Sequence, residues 1–188
     1  AENVYTRAKL VLVAMERLIG EKQMDAVLRA YFGKYRFRHP TADDFRRVAE
    51  TVTKRDWRAF FTAYVDRGEM ADFAVDSAVS RPAEDGRFLT EVVLSRRGGV
   101  PQPVTVLLGF ADDSSLRRTW DGVQVHEVLR VEHSSPLRYA VVDPAWQVVL
   151  DNRRYNNYLK AEVAEKTRLR WTAGLTQLAE ALLAAVAW

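Results

Sequence analysis

His39, His126 and His133 are the residues of this sequence best suited to hold a metal or move a proton. His126-Glu127 begins like a zinc-peptidase motif, which needs two histidines four apart on one helix face with the glutamate between them as base. The next histidine, His133, comes seven residues on, in a segment that reads as strand and turn. An odd separation on a strand sends the two rings to opposite faces, so these read as ordinary surface histidines. His39 reads as a loop residue beside Pro40. Ser114-Ser115 and Ser134-Ser135 fall in expected turns without the glycine-bounded elbow of a nucleophilic serine. Arg97-Gly98-Gly99-Val100 is too short for a phosphate-cradling loop and joins two strands. Asp112-Asp113 and Glu84-Asp85 lack the alternating oxygen ligands of a calcium loop and read as turn residues. With no cysteine, thiol catalysis and cysteine-rich zinc modules drop out. The residues by themselves describe a helix-plus-sandwich protein without an autonomous active site.

The composition bounds the partners. Of 188 residues, 48% are hydrophobic, 28% charged and 11% aromatic, enough apolar surface to build a core. Net charge is only +3, and the basic doublets (Arg46-Arg47, Arg96-Arg97, Arg117-Arg118, Arg153-Arg154) are scattered. Nucleic acid is therefore not an expected partner, despite a pI near 9.3. No basic region followed by an apolar run opens the chain, and its first residues, Ala1-Glu2, lead us to expect a fragment or a processed protein. No compartment is assigned.

The expected fold is α+β with segregated parts: an N-terminal helical subdomain, an antiparallel β-sandwich of immunoglobulin or fibronectin type, and a C-terminal helix. Ala8, Val11, Met15, Leu18 and Ile19 follow helical spacing up to a stop at Gly20. Met24, Val27, Leu28, Tyr31 and Phe32 form a second stripe, expected to end at Gly33. Pro40 breaks the chain, and Thr41 caps a third helix with Asp44 in its first turn and Phe45, Val48, Ala49 and Val52 as its buried face. Asp56 is expected to cap a fourth, carrying Trp57, Phe60, Phe61, Tyr64 and Val65. After a linker at Arg67-Gly68-Glu69 the period becomes two. Strands are expected at 73–80, 87–96, 103–110, 114–120, 125–132, 137–142 and 147–150, joined by Asp85-Gly86, Gly98-Gly99, Asp112-Asp113 and Asp121-Gly122, all read as hairpin turns. The domain limits that follow are 1–66, 73–151 and 152–188.

Longer motifs in the helical part add an identity. Tyr5-Thr6-Arg7-Ala8 through Leu18-Ile19-Gly20, then Tyr35-Arg36-Phe37-Arg38-His39-Pro40-Thr41 with Asp44-Phe45, then Asp56 with Phe60-Phe61, resemble the segment of M1 aminopeptidases (gluzincins) that follows the zinc site. Trp120-Asp121-Gly122 and Val142-Asp143-Pro144 fit the sandwich after that peptidase domain. The resemblance implies a C-terminal portion of a zinc aminopeptidase that lacks the zinc-binding motif. It implies Zn²⁺ and peptide substrates for the parent, no cofactor for this piece, and a catalytic role for Tyr5, whose phenol would donate to the oxyanion of the tetrahedral intermediate. Without the metal there is neither a polarised carbonyl nor an activated water, so the piece alone is expected to be silent. Arg7 and Ala8 stand where the family has Lys and Gly.

A second reading is a non-catalytic interaction or membrane-docking module of an inactive peptidase homologue. It draws on the tail, where Leu175, Leu178, Leu182 and Val186 form a stripe in the apolar run from Trp171 to Trp188. That run reads either as an amphipathic helix on the sandwich or on another copy, or as a membrane contact of a membrane-associated parent.

Overall fold

The computed structural model describes residues 2–163, with side chains from Thr6 to Ala161. Four helices come first: α1 (Glu2–Ile19), α2 (Glu21–Tyr35), α3 (Ala42–Thr53) and the short α4 (Arg58–Phe61), which runs into a π-helical turn at Thr62–Asp66. Val11, Ala14 and Met15 are the buried positions of α1, and Gly20 ends it with φ +84°. The second helix passes through Gly33 instead of stopping there. No other group lies near that glycine, so it costs only its helix propensity, about 1 kcal/mol relative to alanine. Packing of Tyr31 on Tyr35 (5.4 Å) and edge-on to Phe45 (5.0 Å) offsets that cost. The chain leaves the helix at Arg36, and Phe37 turns it at φ +61°.

Thr41 caps α3 as expected. Its hydroxyl accepts the Asp44 N–H at 3.2 Å, and the Asp44 carboxylate accepts the Thr41 N–H at 2.9 Å, a reciprocal capping box. The fourth cap falls one residue later than expected. Trp57 holds the cap position, and Asp56 instead accepts the Arg58 N–H at 2.8 Å in a turn of its own. Arg58 beside Asp56 holds that carboxyl down to about 2. Trp57, Phe60, Phe61 and Tyr64 are buried as the periodicity requires, but Val65 is exposed.

The strands are β1 (Asp72–Pro82), β2 (Phe88–Gly98), β3 (Val104–Phe110), β4 (Ser115–Trp120), β5 (His126–His133), β6 (Leu137–Val142), β7 (Tyr158–Lys160) and β8 (Glu162–Val163). They form two four-stranded sheets, β5-β2-β1-β8 and β4-β3-β6-β7, antiparallel except where β8 joins β1. Alternation sets which face is inside. Val104, Val106, Leu108 and Phe110 of β3 are all buried, with Thr105 and Leu107 only half so. Phe73 of one sheet meets Trp120 of the other edge to face at 5.5 Å.

Two sequence expectations fail here for topological reasons. Asp85-Gly86 and Asp112-Asp113 turn hairpins, but Gly98-Gly99 and Asp121-Gly122 carry the chain from one sheet to the other. Turn chemistry fixes a change of direction and not the partner of the next strand. The strand expected at 147–150 is a loop. Asp143 accepts the N–H groups of Gln147 and Val148, both at 2.8 Å, and coils the segment instead of leaving it extended. The fourth position of that sheet is taken by Tyr158–Lys160, beyond the expected limit at 151. The expected C-terminal helix lies outside the described residues.

Candidate functional site

Among the described residues the helices enclose a cleft of about 660 Å³. Ala8, Val11 and Leu12 of α1 form one wall, Leu28 and Tyr31 of α2 another, and Phe45, Phe61 and Val65 close it. Leu12, Leu28 and Val65 are large apolar side chains left exposed there by the other described residues. Arg7 stands at the edge toward the sandwich.

The arginine is well held. Its Nε and one terminal nitrogen donate to the Tyr64 carbonyl at 3.2 and 3.1 Å, and the same terminal nitrogen donates to the Glu69 carbonyl at 2.7 Å. The π-helical turn supplies this seat. Arg67 and Glu69 N–H groups bond the Thr62 and Ala63 carbonyls, which leaves the Tyr64 carbonyl to the guanidinium. The Tyr64 ring runs the other way. Its hydroxyl accepts the Val100 N–H at 3.1 Å, at the passage from β2 to β3. Burial pushes the Tyr64 phenol up from its ordinary pKa, against the pull of that N–H. Gly99 has φ +75°, and a side chain there would collide with the Tyr64 hydroxyl.

Tyr5, the expected catalytic residue, lies in the first turns of α1, three residues before Ala8 and seven before Leu12. The histidines do not converge. His39 is exposed between α2 and α3. His126 has its Nδ1 3.9 Å from Asp76, while His133, across the strand, stacks on Phe110 at 3.7 Å and accepts the Ser135 N–H at 3.1 Å. Ser114 lies 3.4 Å from His133 Nε2 but donates to Asp112 at 2.5 Å, so its proton is turned toward a carboxylate and not toward a base. That bond lowers the Asp112 carboxyl below its usual range. Among the described residues no group of three or more His, Asp or Glu side chains is placed to hold a metal ion. The donors among the described residues do not fit a zinc site.

What sequence reading missed is the clamp of Arg7, Tyr64 and Val100. The signals were there in pieces: an arginine in the second turn of an amphipathic helix, and a Gly-Gly pair after a strand.

Comparison with known proteins gives a likeness of fold. No family model and no curated protein matches the chain. Among solved structures, Legionella pneumophila aminopeptidase A, crystallised with aspartic acid, superimposes on 80% of this chain with TM-score 0.52 and 12% identity. The matched part is 18% of that chain, so the sequence spans about a fifth of its neighbour's length. The CARDB domain of the PF1109 protein from Pyrococcus furiosus, solved with two metal ions, covers 50% of this chain at TM-score 0.36 and 16% identity, too loose a likeness to bear on function. The helices followed by a sandwich are thus an arrangement that also occurs within an aminopeptidase.

Proposed function

We propose that the chain is the C-terminal part of an M1-type zinc aminopeptidase that removes N-terminal residues from peptides, and that this part is catalytically silent by itself. The observation that carries the reading is the superposition of helices and sandwich, in this order, on part of an aminopeptidase. The motifs around Tyr5 and His39-Pro40-Thr41 support the finer assignment. The metal and its ligands belong to another part of the parent, since the donors described in this chain do not gather. The apolar cleft fits that division of labour, since the exposed Leu12, Leu28 and Val65 offer a wall on which another part of the parent could pack.

Tyr5 takes its role from spacing. Positions 5, 8 and 12 recur on one side of a helix, and Ala8 and Leu12 line the cleft. A phenol at the start of that wall would meet charge that develops only in the transition state. The test is calorimetric titration of the 188-residue chain with Zn²⁺, beside a fluorogenic aminoacyl amide assay of chain and parent. The reading predicts no stoichiometric zinc binding and no hydrolysis by the chain, with metal-dependent hydrolysis by the parent. Tight equimolar zinc binding by the chain, or an inert zinc-loaded parent, overturns it.

A further inference from the structure

We infer that Arg7, Tyr64 and the Val100 N–H form a positioning clamp through which the sandwich fixes the start of α1, and Tyr5 with it. The part of this concerning Tyr5 rests on the peptidase reading; the clamp itself does not.

The first N–H groups of a helix have no partner within it, so its opening turns fray unless something outside holds them. Among the residues of α1 whose side chains are described, Thr6, Ala8 and Lys9 are exposed, and apolar packing begins at Leu10 and Val11. Between Thr6 and Lys9 apolar packing does little to hold the helix. Arg7 is the exception. Its planar fork reaches two carbonyls that flank the linker, 57 and 62 positions away in sequence. Gly68 lies against the guanidinium, 3.6 Å from where its side chain would begin, with φ +68°. The linker is shaped around this arginine.

Tyr64 then passes the constraint on. One residue offers its carbonyl to α1 and its hydroxyl to the sandwich. Its ring is wholly buried, edge-on to Phe60 at 4.8 Å, and cannot shift without moving the π-helical turn. Moving that turn moves the seat of Arg7. The sandwich would then do more than space two parts: it sets the position of α1 through Arg7.

The test is hydrogen exchange on the whole 188-residue chain, read at the amides of Thr6–Leu12, at Val100, and within β3 and β6. Arg7→Met should speed exchange at Thr6–Leu12 about tenfold or more while β3 and β6 keep their protection. Arg7→Lys should restore part of it. Tyr64→Phe is the decisive variant, because it leaves every Arg7 bond intact. It should speed exchange at Thr6–Leu12 as well as at Val100. Unchanged exchange at Thr6–Leu12 in Arg7→Met, or a Tyr64→Phe effect confined to Val100, overturns the clamp. In a parent with wild-type peptidase activity, Arg7→Met should lower kcat with KM little changed; a rise in KM alone removes the link to Tyr5. An inert parent overturns the peptidase reading and leaves the exchange result to decide the clamp.

Discussion

Gly99→Ala should destabilise the chain by about 2–4 kcal/mol, and the loss should shrink when Tyr64 is already phenylalanine. Two terms make up the figure. Gly99 has φ +75°, and an L-residue in the left-handed region costs about 1–2 kcal/mol. The added methyl would also meet the Tyr64 hydroxyl and push it off the Val100 N–H, which it now accepts at 3.1 Å. Val100 is half-buried, so a lost partner costs toward the lower end of the usual range, about 1–2 kcal/mol. Tyr64→Phe loses the same bond and should itself cost about 1–2 kcal/mol. The bond can be lost only once. The double variant should therefore cost about 2–4 kcal/mol instead of the additive 3–6, a coupling of about 1–2 kcal/mol. Ala71 Cα, 3.1 Å from the new methyl, contributes equally with either ring and cancels from the cycle. Urea unfolding of the four proteins measures it. Costs that add to within about 0.3–0.5 kcal/mol would refute the reasoning, because they would mean that Gly99 and the phenol do not share a space.

Thr41→Ala should cost about 0.5–2 kcal/mol in the same assay, since the Asp44 N–H loses its acceptor and the capping box opens; no loss would mean the box is not formed in solution. Asp143 gives a pH dependence. Burial holds its carboxyl above the ordinary 3.8, against the N–H bonds from Val148 and Gln147, so the folded state keeps this proton to higher pH than the unfolded chain does. The stability it contributes is full below the unfolded value and is lost as pH rises through the folded one. Wild type should therefore lose stability relative to Asp143→Asn as pH rises from below the ordinary carboxylate range to above it, read from urea midpoints; a relative gain over that rise contradicts the assignment.

Much of this fold could be read from residue periodicity, and the failures have physical causes. Thr41 with Asp44 marked α3 because a side-chain oxygen three residues before a second acceptor satisfies two free N–H groups at once. The alternation in β3 marked a strand with one buried face. Gly33 misled because a glycine stops a helix only when the next turn has nothing to pack, and Tyr35 packs on Tyr31. Residues 147–150 misled because Asp143, several positions away, takes two of their N–H groups. Sheet assignment at Gly98-Gly99 is a long-range property that no local turn encodes. The helical stripes that line the cleft were legible, with Val65 placed on the fourth helix, but the exposure of Val65 at an open wall was not. The clamp joins positions 7, 64 and 100, and no window along the chain holds all three.

The most direct test of the functional account is Tyr5→Phe in the proposed parent peptidase, followed by steady-state hydrolysis of an aminoacyl amide. Loss of one oxyanion donor should lower kcat by about 10²–10³-fold with KM nearly constant. A kcat that stays at the wild-type level in an active, folded variant would contradict the role given to Tyr5 and with it the placement of this chain beside a peptidase metal site.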